Sequence, residues 1–147
     1  MLFPLDGKII SNKYFCMIKA ELSFDVSLNL EHHNNMFIST LHNLTLHKKC
    51  GEIKGDISKV NKTNVYTISQ SDLDENLRGI GLGYKFYILT IKKCFEYGCN
   101  EFRSSTYLNE MSMGVWERVI RLNYNAYKVT SKGDTYYKVI PQNKLII

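Results

Sequence analysis

The stretch Arg78-Gly79-Ile80-Gly81-Leu82-Gly83 decides the fold, and three of its six residues are glycine. Glycines carry no Cβ atom, so the backbone can approach a ligand closely and adopt dihedral angles that other residues avoid. A helix is predicted to begin at Gly83, and the free N–H groups of its first turn attract anions. Arg78 adds a cation at the rim. The loop is therefore predicted to bind a pyrophosphate; the simpler alternative is a flexible turn.

The segments on either side of this loop have different hydrophobic periods. Before it, residues 64–73 are rich in β-branched and aromatic side chains and predict a strand. After it, apolar residues recur at spacings of three and four over residues 83–97, which predicts a helix ended by Gly98. A short strand candidate follows at residues 101–106. The glycines thus lie between a strand and a helix, a context that favours phosphate binding.

The remaining predicted elements are three strands before the loop, and a helix and a hairpin after it. They are residues 13–24, 36–46, 52–60, 111–120 and the pair 126–129 and 135–140. Turns are predicted at residues 34–35, 48–51 and 61–64. This order predicts an α+β fold, with helices packed on a mixed sheet. The 147 residues are expected to form one domain, residues 1–147.

Composition excludes several classes of protein. Hydrophobic residues make up 44% of the chain, enough for a core, and the net charge is +5. The lysines are scattered, so nucleic acid is not an expected partner. Neither a run of about 18 apolar residues nor a signal-peptide pattern is present, which predicts a cytoplasmic protein without a membrane span. The spacing of Cys16, Cys50, Cys94 and Cys99 matches no zinc motif, so no metal is expected.

Two other glycine-rich nucleotide motifs fit this loop less well. A dinucleotide-binding fingerprint needs Gly-x-Gly-x-x-Gly near the start of a βαβ unit and an acidic residue about 20 residues later. Here the spacing is Gly-x-Gly-x-Gly, and Glu101 opens its strand candidate instead of closing it. A P-loop requires Gly-Lys-Ser/Thr, which the loop lacks.

The loop from Arg78 to Gly83 resembles the Arg/Gln-x-x-Gly-x-Gly/Ala motif of the GNAT family of N-acetyltransferases. In that family the motif follows the fourth strand and opens the helix that carries the pyrophosphate of coenzyme A. Downstream, Asn109-Glu110-Met111-Ser112 resembles the family's Asn-x-x-Ala/Ser segment, and Val115-Trp116-Glu117 resembles a segment of short phage members. The resemblance covers residues 65–140.

The resemblance implies a fold, a cofactor and a reaction. The sheet would be mostly antiparallel, with the fourth and fifth strands, residues 64–73 and 101–106, running parallel and splaying apart around the pantetheine arm. The chain would be an enzyme that transfers an acetyl group from acetyl-coenzyme A (acetyl-CoA) to an amine of a protein or small molecule. A homodimer is also considered.

The coenzyme ligands implied by the resemblance are the loop, the end of the strand before it and the start of the second helix. They are Leu73, Arg78, Gly79, Ile80, Gly81, Leu82, Gly83, Asn109, Ser112 and Trp116. Backbone amides of the loop would hold the pyrophosphate, while Asn109 and Ser112 would bond the pantetheine arm. Trp116 is expected to pack beneath the coenzyme.

The resemblance identifies the acid and the base of the reaction less clearly than it identifies the coenzyme ligands. Many members carry a tyrosine seven residues after the asparagine, to protonate the departing thiolate, but Trp116 occupies that position here. An indole N–H cannot act as an acid near neutral pH. Tyr107, Tyr124, Tyr127 or water remain as alternatives, and we select Tyr124 as the candidate. Asp72 is the candidate base.

Other side chains could serve as the base instead. Asp74 and Glu75 lie close to the same strand end, and His32 or His33 titrates near neutral pH. A second hypothesis is a weak or inactive GNAT-like scaffold that binds a protein partner. The substitution at Trp116 favours it, as does the lack of a clear amphipathic helix in the first half of the chain.

Overall fold

Strands dominate the computed structural model, which describes residues 8–9, 21–31, 34–78 and 81–141. Eight strands and two α-helices are formed in this part of the chain. They are β1 (Lys8–Ile9), β2 (Leu22–Glu31), β3 (Asn34–Asn43), β4 (Lys48–Val60), β5 (Thr63–Leu73), α1 (Leu82–Glu96), β6 (Glu101–Arg103), α2 (Glu110–Leu122), β7 (Ala126–Ser131) and β8 (Asp134–Val139). The strands lie in one sheet in the order β1-β2-β3-β4-β5-β6-β8-β7.

The predicted α+β class and the mixed, mostly antiparallel sheet are confirmed. Of the neighbouring pairs, β5 and β6 run parallel and the rest antiparallel. Helix α1 connects the parallel pair, as such a crossover requires. The predicted helix at residues 111–120 and the hairpin at residues 126–140 are also present.

Several predicted boundaries differ from the structure. Residues 48–51, predicted as a turn, form the start of β4, and the strand predicted at residues 101–106 ends at Arg103. Residues 25–31, for which no element was predicted, continue β2. Of the strand predicted at residues 13–24, residues 13–20 lie outside the described residues.

Aromatic side chains fill the space between the sheet and the two helices. Trp116 of α2 is 1% exposed and stacks on Tyr137 of β8 at 5.8 Å between ring centroids. The rings of Phe37 of β3 and Phe102 of β6 are in contact, with 5.4 Å between their centroids. This packing holds both helices against the sheet beside β5 and β6, where the parallel pair opens.

The parallel pair is hydrogen-bonded only at its start. Residues 65–67 of β5 pair with residues 101–103 of β6. Strand β6 ends there, whereas β5 continues for six more residues, to Leu73. Ser69 is an extra residue in β5, because Ile68 lies opposite Gly55 and Gln70 opposite Lys54. Such a bulge bends its strand. The predicted splay is therefore confirmed, and it leaves a cleft beside the second half of β5.

Candidate functional site

The cleft has two connected parts, which we call the loop cavity and the strand cavity. The loop cavity, about 260 Å³, lies between the end of β5 and the first turns of α1 and α2. The strand cavity, about 210 Å³, lies between residues 68–71 of β5 and the segment from Ser105 to α2. Ser71, Tyr87 and Ser112 line both cavities. The two cavities thus form one path along β5.

The first turn of α1 borders the loop cavity. Gly81 is the N-cap residue, with φ 82° and ψ 4°, a left-handed conformation that favours glycine. It has no side chain to cap the helix, and the first N–H groups of a helix have no partner within it. Gly83 and Gly81 both line the cavity, whereas Leu82 is buried in the core. Gly79 and Ile80 lie outside the described residues.

Two guanidinium groups flank the loop cavity. Arg78 is held by the end of β5, because its Nε donates to the carbonyl oxygen of Leu73 at 2.8 Å. Arg118 of α2 lies 4.8 Å from the centroid of the Tyr84 ring. Asp72 supplies the one carboxylate among the residues that line this cavity. Two cations against one anion make the loop cavity suitable for an anionic ligand.

Polar groups at the end of β5 bond to neighbouring groups of the same chain. The N–H of Leu73 donates to Oδ1 of Asp72 at 3.0 Å, and the Leu73 carbonyl accepts from Arg78. Asp72 Oδ1 also lies 3.7 Å from Nη2 of Arg78. A ligand that accepts from the N–H of Leu73 therefore has to displace Oδ1 of Asp72, whereas the Leu73 carbonyl oxygen keeps a second lone pair for another donor. Earlier in β5, residues 68–72 have no strand partner on the side of β6 among the described residues.

The start of α2 forms the opposite wall of the cleft. Asn109 is its N-cap, and its Oδ1 accepts from the N–H of Ser112 at 2.8 Å. Asn109 lines the strand cavity, so the residue predicted to bond the pantetheine arm also caps the start of the helix. Trp116 lies one turn beyond Ser112 and lines the strand cavity from its buried position.

Replacing Asn109 by alanine is expected to lower the free energy of unfolding by about 1 kcal/mol, because the N–H of Ser112 loses its acceptor. Urea denaturation measures this change. Asn109→Asp keeps an oxygen acceptor at the cap and should retain the stability of the parent. An unchanged urea midpoint for Asn109→Ala would show that the cap contributes nothing.

The other predicted acids and bases lie in different places. Tyr124 follows the C-terminal end of α2, is 64% exposed and lines neither cavity, so the structure does not bring it near Asp72. Tyr127, on the edge strand β7, also lines neither cavity, whereas Tyr107 is 92% exposed and lines the strand cavity. Asp74 lies 3.7 Å from the Lys48 ammonium and lines neither cavity.

Three base candidates remain, two histidines and a glutamate. His32 and His33 lie outside the described residues. Glu75 begins a short 3-10 turn and lines neither cavity. Of the carboxylates considered as the base, Asp72 alone borders the cleft in the described part of the chain.

Tyr87 lies where the two cavities meet, and the sequence analysis assigned it no role. Its hydroxyl donates to Oγ of Ser71 at 2.7 Å, and its ring meets Trp116 edge-on at 5.6 Å. Burial raises the pKa of Tyr87, against the lowering effect of hydrogen bonds with Ser71 and Ser112. Tyr87 follows Gly83 by four residues, which places both on one face of α1 and is the signal that could have identified it.

Neither helix in the described part of the chain has the length and apolar character needed to cross a membrane. Within the same residues, no three His, Cys, Asp or Glu side chains come together in a group that could hold a metal ion.

No protein-family model and no curated protein sequence matches the chain. Among solved structures, the ribosomal-protein-S5-alanine acetyltransferase from Vibrio fischeri is similar with a TM-score of 0.56 and 16% identity, over 74% of this chain and 63% of that one. The NatC complex bound to Gag peptide and CoA gives a TM-score of 0.52 and 16% identity, over 72% of this chain and 70% of that one.

A GNAT-family acetyltransferase from Listeria monocytogenes gives a TM-score of 0.54 and 11% identity, over 71% of this chain and 64% of that one. This chain thus spans less than two thirds of the Vibrio fischeri and Listeria monocytogenes chains. At such identities the likeness concerns the fold. The mixed sheet, with β5 and β6 as its splayed parallel pair, is that of the GNAT acetyltransferases.

Proposed function

We propose that the protein transfers an acetyl group from acetyl-CoA to an amine acceptor. The observation that carries this proposal is the continuous path from the first turn of α1 along the unpaired half of β5. In this arrangement the pyrophosphate lies in the loop cavity and the pantetheine arm in the strand cavity. The solved structures with this fold include acetyltransferases and a complex with CoA.

Gly83 supports the position of the pyrophosphate. Glycine within a helix costs about 1 kcal/mol relative to alanine. A Cβ atom at this position would lie 3.5 Å from Val115 and 3.8 Å from Leu73, which is ordinary contact. Packing against the described residues therefore leaves room for alanine. The remaining reason for glycine is the loop cavity itself, where a bare backbone lets a phosphate reach the N–H groups of the first turn.

The unpaired half of β5 supports the position of the pantetheine arm. Backbone N–H and C=O groups that lose a strand partner need another partner or water. The arm of coenzyme A contains two amides, so it can pair with a strand edge as another strand would. Ser71 and Ser112 add hydroxyl groups at the junction of the two cavities.

The chemistry proposed for this cleft is a direct attack by the amine nitrogen on the thioester carbonyl. Asp72 is assigned as the base that accepts a proton from the amine. Its side chain is 71% exposed and adjoins Ser71 in β5, so an acceptor can reach it from solvent. Free N–H groups along the unpaired half of β5 would stabilise the oxyanion of the tetrahedral intermediate.

Calorimetry with acetyl-CoA, followed by an assay for released thiol, tests this proposal. The acceptors are a polyamine, an aminoglycoside, a lysine-containing peptide and peptides with free α-amino groups. We expect binding and acceptor-dependent release of thiol. No binding at high micromolar acetyl-CoA would exclude the acetyltransferase. Binding without turnover across all acceptors would instead favour the second hypothesis, a GNAT-like scaffold that binds a protein partner.

A further inference from the structure

The strand cavity has a near end and a far end along β5. The near end joins the loop cavity at Ser71, and Ile68 is the lining residue of β5 that lies farthest from this junction. In the proposed arrangement the pantetheine arm enters at Ser71, so its thioester lies towards Ile68, about 10 Å further along the strand. The acyl group carried on the sulfur therefore meets the walls of the far end.

Trp116 of α2 forms a wall of this far end. The centroid of its ring lies 6.4 Å from that of Phe102. Phe102 in turn lies opposite Tyr66, in the part of β5 and β6 that is hydrogen-bonded. The indole therefore lies where the two strands converge, and it lines the strand cavity although it is only 1% exposed.

The Trp116 indole has no room to move aside for a larger group. It stacks on Tyr137 with 9° between the two ring planes, and the Tyr87 ring meets it edge-on at 5.6 Å. Tyr137 and Phe102 are themselves buried in the core. Because protein cores are packed as densely as organic crystals, a displaced indole would find no space behind it. The depth of the far end is therefore fixed.

The apolar side chains of the strand cavity suit a short acyl group. Ile68 and Leu108 line the cavity together with Trp116. The methyl group of an acetyl thioester can pack against these side chains, where removal from water stabilises it. Each further methylene of a longer acyl chain would extend towards the indole, which cannot give way.

We propose that Trp116 determines the length of the acyl group that the protein transfers, because its indole, together with Ile68, ends the strand cavity just beyond the acetyl group. This inference rests on the proposed acetyl transfer. It gives tryptophan a use at a position where many GNAT members carry a tyrosine, since the larger ring system shortens the cavity.

Trp116→Phe tests the inference, because phenylalanine keeps a ring beside Tyr137 and removes part of the indole from the cavity. For the parent we expect kcat/KM to be at least about 10-fold higher with acetyl-CoA than with propionyl-CoA, and lower again with butyryl-CoA. Trp116→Phe should reduce this preference for acetyl-CoA about 10-fold. The calorimetric Kd values of the three donors should shift in the same direction, a readout that needs no acceptor.

Phe37→Leu is the matched control. Phe37 is likewise a buried ring, contacts Phe102 and lines neither cavity. This variant should lose stability as other core truncations do, yet keep the parent's preference among the three donors. If Trp116→Phe does not fold, Ile68→Val removes one methyl group from the same end of the cavity and should narrow the difference between acetyl-CoA and propionyl-CoA several-fold.

Two results would overturn the inference and leave the proposed function in place. One is a parent that transfers acetyl, propionyl and butyryl groups equally well. The other is the parent's preference for acetyl-CoA retained in Trp116→Phe, or in Ile68→Val where that variant alone folds. A parent that neither binds acetyl-CoA nor releases thiol would remove both proposals.

Discussion

Gly83→Asp is expected to weaken acetyl-CoA binding by roughly 100-fold or more, since like charges in contact cost several kcal/mol. The new carboxylate would lie in the loop cavity, where Gly83 now leaves the first turn of α1 open. There it would occupy the space of the pyrophosphate and compete for the same N–H groups. Calorimetry measures the loss of binding.

The fold should survive this substitution. A Cβ atom at Gly83 meets Val115 no closer than 3.5 Å, and an aspartate in the first turn of a helix is favourable. Thermal unfolding of Gly83→Asp should therefore match or exceed that of the parent. Gly83→Asn, which has the same shape without the charge, is the matched control and should lose less affinity. If Gly83→Asp binds acetyl-CoA as the parent does, the loop cavity does not hold the pyrophosphate.

Local sequence patterns predicted the part of the fold that carries the loop. The β-branched run before Arg78 and the three-and-four spacing after Gly83 are properties of single elements, so they can be read without knowledge of the tertiary structure. The splay between β5 and β6 was predicted only through the resemblance to the GNAT family. Its physical causes are the bulge at Ser69 and the short length of β6, which need the strand register.

The start of β4 could not be predicted from local sequence. Gly51 suggested a turn, yet it lies inside the strand. A Cβ atom there would come within 3.1 Å of Phe86 and 3.2 Å of Leu41 and Leu73. Glycine at this position therefore serves the close packing of α1 on the sheet. That reason involves Phe86, 35 positions further along the chain, so no local pattern reveals it.

Local sequence also does not show which tyrosine lies beside the cleft, as the choice of Tyr124 for the acid illustrates. Tyr124 was one of three tyrosines that the sequence left open, but α2 has 13 residues and is about 20 Å long, so its two ends lie far apart. The cleft adjoins the end that begins near Asn109, and Tyr124 follows the other end. Tyr87 reaches the cleft because α1 packs beside α2, a contact between segments that are separate in sequence.

Gly55→Ala is expected to lower the free energy of unfolding by about 3 kcal/mol or more, although it adds one methyl group. The new Cβ atom would lie 2.3 Å from both the Phe37 ring and the Thr67 carbonyl oxygen. Phe37 is fully buried, and the Thr67 carbonyl belongs to the backbone of β5, so neither can move freely.

Relief of this clash would have to displace β5 at the position where the bulge begins and β6 separates. Urea denaturation of Gly55→Ala measures the cost. Gly114→Ala is the matched control, since no atom lies within 4 Å of its new Cβ; alanine in a helix should raise stability by about 0.5–1 kcal/mol. Equal urea midpoints for the two variants would mean that β4 and β5 are not packed as described, and the splay that forms the cleft would lose its structural basis.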